Sequence, residues 1–489
     1  MSKTVRIVAI IGVILFVVAA LTHRSQRSRN AAALTAYKAE LRARGEKLTG
    51  AELGFPRPPE ASSNLDLLGA GVNRIAAVPF DPSLVELMHF VSADRAEVAW
   101  SQPQLRTIAT QGGNTNPVPW EVFSSQFETA ADALRDIRDA TQVPPRYFFN
   151  DPFAFSNFTN RPKALFVELR KAAQWLAGDA IAALHASQPD RARADIHALT
   201  QLAQFHREDI TLVSQMVRTA IAGMGLATTW EALQAPGWSE ENLATLQKDW
   251  EAVDLANVFE TGMLGQRANG EAAFAYLRSP GRRQRAAAIH FGNPPNRRSP
   301  EDYFAELVGM PLWAANSEAD ELLFLQHHQK LLETMRLART GTPMVQIYRQ
   351  LTAIDSELVA IARRPLARYR YLMCAIAIPN FVRAGSTCIR NETQRRLTIT
   401  AIALERYRLH HGKSPPELAT LVPQFLSAVT IDLMSAKPLR YRLNADGSFT
   451  LYSVGEDGCD DGGDPNSASG TNKFGLWEGR DAVWPAAAK

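Results

Sequence analysis

Cysteine is nearly absent: three among 489 residues, Cys374, Cys388 and Cys459. Two structural disulfides are therefore impossible, and no Cys/His spacing of the zinc-binding kind occurs. Cys374 and Cys388 fall on one predicted helix. At ~1.5 Å per residue they lie roughly 20 Å apart, too far to pair, and they read as small buried apolar side chains. An excess of either charge is also missing, with 53 Lys and Arg against 50 Asp and Glu. A nucleic-acid-binding chain wants a basic stripe, so no nucleic-acid partner is expected. The catalytic signatures G-x-S-x-G, G-x-x-x-x-G-K-[ST] and H-E-x-x-H do not occur, and nothing converges as nucleophile, base and orienter. The expectation is a protein that is not an enzyme.

What is present begins with an uncharged apolar run, Ile7–Thr22, between Lys3 and Arg6 on one side and Arg24, Arg27 and Arg29 on the other. The run is slightly short of the ~20 residues of a spanning helix. Val5 and snorkelling of Arg6 and Arg24 make up the length. Residues 1–29 therefore read as a single-pass signal anchor that meets the lipid bilayer through residues 7–22. A cleaved signal peptide is the rival, although "VVAALTHR" lacks a small-x-small cleavage box. The arginines after the run favour a cytoplasmic C-terminal side.

Residues 30–64 read as a charged juxtamembrane helix followed by a linker broken by Pro56, Pro58 and Pro59. Residues 65–364 form a helical domain. Its start, to about 160, is loop-rich and aromatic, with a helix over 128–140. From 163, Leu165, Leu169, Ala172, Leu176, Ala180 and Ala183 step by fours and threes. Leu212, Met216, Thr219, Gly223, Leu226, Trp230 and Leu233 do likewise, so each set lies on one helical face. Asp190 and Ser239 are candidate N-caps. No 34-residue repeat appears, so the expectation is an antiparallel helical-hairpin bundle or irregular solenoid. A basic, Pro/Gly-rich break at 278–300 reads as a solvated loop or as a contact for acidic lipid headgroups or an acidic partner. The histidines read as structural: His206 with Asp209 as a surface cluster, His327 and His328 pointing apart, His410 and His411 at a helix C-terminus.

Residues 365–489 change character. A long helix over 368–411 with one proline, Pro379, stops at Gly412, and Pro415–Pro416 prevent its resumption. Leu418, Leu421 and Val422 suit a short helix folded back. "PLRYRLN" and "SFTLYSVG" alternate with period two and are joined by "NADG", which predicts a hairpin. The whole is mainly α, ending in a small α+β unit with an antiparallel sheet.

This order of elements resembles the major pseudopilin of type II secretion and the type IV pilin-like proteins. "AIAIPNFVRA" (375–384) is similar to the pilin helix at its proline. "ALERYRLHHGKSPPEL" (403–418) is similar to the later helix and turn, and "PLRYRLNADGSFTLYSVGEDG" (438–458) to the sheet and its glycine-rich loop. The resemblance covers about 368–485. It departs at the leader-cleavage motif, which is missing, and at Arg363, Arg364, Arg368 and Arg370, which precede the helix. Only Tyr371–Phe381 is continuously apolar, too short to span a bilayer. The helix is therefore expected as the spine of a globular head docked on the helical region.

The loop "SVGEDGCDDGGDPNSASG" brings together Asp457, Asp460, Asp461 and Asp464, whose mutual repulsion a hard cation would relieve. The spacing is not that of an EF-hand, and a solvated acidic turn is the other reading. The related pseudopilins bind calcium in the corresponding loop, so the resemblance implies a calcium site, with Asp481 closing it. It further implies a periplasmic body on the bacterial inner membrane, against the arginine count, and envelope or secretion-apparatus proteins as partners. The expected function is a non-catalytic, membrane-anchored envelope protein linked to secretion or pilus-type assembly. The alternative is an anchored, hydrolase-like envelope enzyme with its site in 65–160.

Overall fold

A computed structural model describes the backbone of residues 3–488 apart from 55–62, 79–81, 83–84, 107–116, 143–165, 206, 208, 210, 280–304, 365–366, 468–469 and 471–472. For residues 3–20, and a few others, only the backbone is described. The Pro56–Pro59 linker, most of the 278–300 basic segment, His206, Leu165 and the side chains of the 7–22 run up to residue 20 thus lie outside the described residues.

The first helix, α1 (Lys3–Ala43), is unbroken. Its second half is docked. Leu34 and Leu41 are buried, and Lys38 lies between Glu271 and Glu321. Gly45, at φ 83, releases the chain from the helix. Thr49 and Glu52 then form a reciprocal capping box that opens α2 (Gly50–Leu53). The segment expected as a charged juxtamembrane helix is therefore an integral layer of the body.

The loop-rich region supplies α3 (Ser63–Ala76), the strands β1 (His89–Phe90) and β2 (Arg95–Glu97), α4 (Trp120–Thr129) and α5 (Ala131–Gln142). The helix expected over 128–140 is thus two, with the break at Ala130. The helical stack follows as α6 (Phe166–His185), α7 (Pro189–Gln204), α8 (Leu212–Leu233), α9 (Glu240–Ala252) and α10 (Ala256–Arg278). Small residues let these helices approach closely. A Cβ on Gly225 would touch the Trp250 ring, and Ala172, Ala180 and Ala183 of the α6 stripe are wholly buried. Ser239 caps α9 as expected, accepting from Asn242 N. Asp190 does not cap α7. Gln188 holds the N-cap position and Pro189 is the first helical residue; proline's fixed φ and missing N–H suit that position. Asp190 instead accepts from Asn242 Nδ2 at 3.0 Å, tying α7 to α9.

After a π-helical turn, Ala305–Gly309, come α11 (Met310–Arg339), α12 (Met344–Ala362), the short α13 (Ala367–Arg370) and the long helix α14 (Leu372–His411). Gly412 ends α14 in the left-handed conformation, φ 74. By length and composition α14 could cross a membrane: its most apolar window has a mean hydropathy of 1.4, with 44% of it buried inside the protein. Its N-terminus is capped from within. The Asp320 carboxylate on α11 accepts from Met373 N at 2.9 Å and Cys374 N at 3.0 Å, and Phe381 packs edge-on against Phe324. Cys374 and Cys388, both buried, sit in that packed face. Helices α8, α9, α11 and α12 all pack against α14, so it behaves as a core helix.

The turn Leu418–Leu421 is 3₁₀ and buries both leucines. The predicted hairpin is present: β5 (Arg440–Leu443) pairs antiparallel with β6 (Phe449–Ser453), with Leu443 opposite Phe449. Gly447 N donates to Asn444 O across the turn at 3.0 Å. β7 (Ala482–Val483) completes this sheet, and β3 (Ile431–Asp432) pairs with β4 (Lys437–Pro438). The strand β8 (Ala486–Ala487) leaves the sheet and lies parallel to β2, with Trp230 Nε1 donating to Pro485 O at 3.0 Å. One contiguous cluster of buried side chains runs from Leu34 to Val454.

Candidate functional site

The acidic loop leaves β6 through Gly455, whose φ is 72 and where a Cβ would strike the Arg480 carbonyl. The fold brings Asp460, Asp461, Asp464 and Asp481 to one end of the sheet, but their carboxylates face different partners. Asp460 accepts from Arg440 Nε at 2.6 Å, Tyr452 Oη at 3.0 Å and Gly462 N at 3.2 Å. The arginine, above all, lowers its pKa. Asp461 and Asp464 share Arg480 at 3.8 and 3.9 Å. Asp464 also accepts from the Asn466 backbone and amide, and that backbone bond leads in lowering its pKa. Asp457 closes a local turn onto Cys459 N at 2.9 Å. Asp481 is buried, so its pKa is raised, and it accepts from Gly463 N and Asp464 N. Glu456 turns away to a bidentate pair with Arg390 at 2.8 and 2.7 Å.

Among the described residues no group of three or more His, Cys, Asp or Glu side chains converges to hold a metal ion. As placed, the five aspartates do not fit a cage of six to eight oxygens. Arginines and backbone N–H groups relieve the repulsion that a cation was expected to relieve.

A cavity of about 660 Å³ opens elsewhere, where the end of α9, the start of α10, the α11–α12 turn, α14 and the β3–β4 hairpin meet. Its charged lining is Glu251, Asp254, Glu392, Arg395, Arg396 and Asp432. Glu392 is buried and accepts from Arg395 Nε at 2.9 Å and Nη2 at 2.8 Å, and from Arg396 Nε at 3.0 Å. The outer nitrogens of the two arginines reach in opposite directions, Arg395 to Trp250 O at 2.7 Å and Arg396 to Ile431 O at 2.8 Å. One carboxylate thus locks the long helix to the helical body and to the head. Asp432 is fully buried and accepts from Met434 N, Ser435 Oγ, Ser453 Oγ and Val454 N. Cys388, in the wall, donates its thiol to Leu255 O, and burial pushes its pKa up, so it stays protonated. Among the described residues the lining includes no histidine, serine, lysine or tyrosine. The cavity offers carboxylates and guanidinium edges for binding, without an activated nucleophile.

The 65–160 region was the alternative location for chemistry, and 107–116 and 143–160 lie outside the described residues. In its described part the polar groups act as ties. Glu231 on α8 is buried and accepts from Met88 N and Ala99 N, each at 2.9 Å; burial pushes its pKa up to about 8. His185 stacks on Trp120 with centroids 3.8 Å apart, its Nδ1 2.8 Å from Trp100 O. His328 is fully buried against Phe324 and Phe381, and Asp209 is buried, accepting from Ser214 Oγ, rather than part of a surface cluster.

Sequence reasoning missed Glu392, Asp432 and Glu231. Only Glu392 carried a signal: the spacing to Arg395 and Arg396 places three charges on one helical face. Comparison with protein families, with curated proteins and with solved structures gives no match.

Proposed function

We propose that this chain is a membrane-anchored, non-catalytic envelope protein. Its helical body carries a pseudopilin-like head and serves secretion or pilus-type assembly. Residues 7–22 hold it in the bacterial inner membrane, with the body on the periplasmic side. The observation that carries the reading is the unbroken α1: the apolar run continues, without a linker, into a segment buried in the body. Such a join transmits position from a bilayer to a folded surface, which suits a scaffold. The order of long helix, proline-marked turn, hairpin and acidic loop adds the pilin-like character. The lining of the cavity is in keeping with binding.

The test is photocrosslinking in the native membrane. A photoreactive residue replaces Val122, Val167 or Val213, apolar side chains that are 52%, 76% and 55% exposed on the helical body. Capture of secretion-pore or pilus components supports the proposal. Capture of none, together with hydrolytic turnover by the purified full chain, overturns it in favour of the enzyme.

A further inference from the structure

The polar half of α1 runs alongside α11 in the same direction. Arg27 pairs with Glu318 at 3.1 Å near one end, Lys38 with Glu321, and Arg44 with Glu333 at 3.7 Å near the other. At ~1.5 Å per residue these pairs place Met310, the first residue of α11, level with roughly residues 19–27 of α1. That is where the apolar run ends. The turn Ala305–Gly309 lies beyond Met310, on the side of the run.

Other element ends collect along the first three turns of α11. Arg278, the last residue of α10, donates to Ser317 Oγ at 3.0 Å. Tyr369 of α13 packs on Gly309, where a Cβ would overlap its ring. The α14 N-terminus is held by Asp320. This end of the body displays exposed apolar side chains: Leu21 is 61% exposed, Leu307 79% and Val308 37%. Exposed arginines lie on the neighbouring element ends. Arg24 and Arg29 on α1, and Arg363 and Arg364 after α12, are exposed. Among the described residues Arg24, Arg363 and Arg364 have no carboxylate partner.

Apolar tips at the level where a membrane helix emerges, together with exposed guanidinium groups that have no carboxylate partner among the described residues, match the interface of an anionic leaflet. We propose that this end of the body rests on the bilayer. Leu307 and Val308 enter the headgroup layer, and Arg24, Arg363 and Arg364 bind the phosphates of acidic lipids. The proposal rests on the anchored reading of residues 7–22. The anchor and this collar then fix the body's tilt, which a single helix alone would leave free to swivel.

The experiment uses the full chain in lipid nanodiscs on a Cys459→Ser background, since Cys374 and Cys388 are buried. A fluorophore is attached at Leu307→Cys or, at the opposite end, Leu443→Cys, with quenchers on the lipid headgroups. The expected result is quenching at 307 and none at 443. It is stronger with phosphatidylglycerol than with phosphatidylcholine, and the difference is lost in Arg363→Glu/Arg364→Glu, each arginine accounting for about fivefold in lipid preference. Protein that enters the discs but shows no more quenching at 307 than at 443 overturns the collar and leaves the anchor standing. Equal quenching in both lipids overturns the role of the arginines. Protein that does not enter the discs overturns the anchor, and the collar with it.

Discussion

Single residues settle how α14 is used. Asp320 is buried, and its carboxylate accepts from two backbone N–H groups at the start of α14 and from Trp313 Nε1 at 2.7 Å. Burial pushes its pKa up to about 7 from an ordinary 3.8. Because the folded value is the higher one, the unfolded chain releases this proton first. The stability contributed by Asp320 therefore falls as pH rises from about 4 through about 7. Asp320→Asn removes that titration and one acceptor. Urea midpoints should show the variant less stable than wild type by ~1–3 kcal/mol at pH 5, with a smaller gap at pH 8. A gap that is the same at both pH values would contradict the assignment. None of this was legible in the sequence, because "EADELL" reads as an ordinary charged helix and its partner is more than fifty positions away. Gly412, by contrast, was legible, since a glycine between a periodic run and a proline pair has few other uses.

At the scale of elements, the least expected feature is the burial of the segment after the apolar run. Glu46 accepts from Arg336 and from Arg267, whose side chain is fully buried, and from Gln329. Burial alone would raise its pKa; the bonds from Arg336, Arg267 and Gln329 bring it down to about 2. That stability is present above about pH 4.5 and is lost as pH falls through about 2. Glu46→Ala leaves Arg267 buried without its carboxylate. The expected cost at neutral pH is ~3 kcal/mol, accompanied by faster limited proteolysis near Gly45. An unchanged melting temperature would show that this segment does not hold the body. The helix itself was readable from its Ala-rich, charged composition. Its burial was not, because the residues that cover it come from α10 and α11, more than 200 positions downstream. Helix stripes and the β5–β6 hairpin were readable because their periodicity is local. The parallel β2–β8 pairing, which joins Arg95–Ala96 to the C-terminal tail, has no local signal.

For the whole molecule, the sequence separated a helical body from a C-terminal α+β unit, and the packing shows why composition could not reveal how closely they join. Glu392 with its two arginines, and Asp432 with its four donors, are polar centres of a joint that residue type alone does not mark. The acidic loop is the complementary lesson. Its aspartates suggested a cation, yet Arg440 and Arg480, from the strand and the returning tail, occupy the positions of opposite charge. With the carboxylates so partnered, millimolar calcium leaves the melting temperature of the full chain unchanged, and Asp461→Ala behaves alike with and without the ion. A calcium-dependent rise that Asp461→Ala abolishes would mean that the loop re-forms around the metal.

The central claim is that α1 alone holds the protein in the bilayer, while α14, although apolar and long enough, belongs to the core. Removing residues 1–29 and washing the membranes with alkaline carbonate tests it most directly. The account predicts that residues 30–489 appear in the soluble fraction; their retention in the carbonate-washed membrane would contradict it.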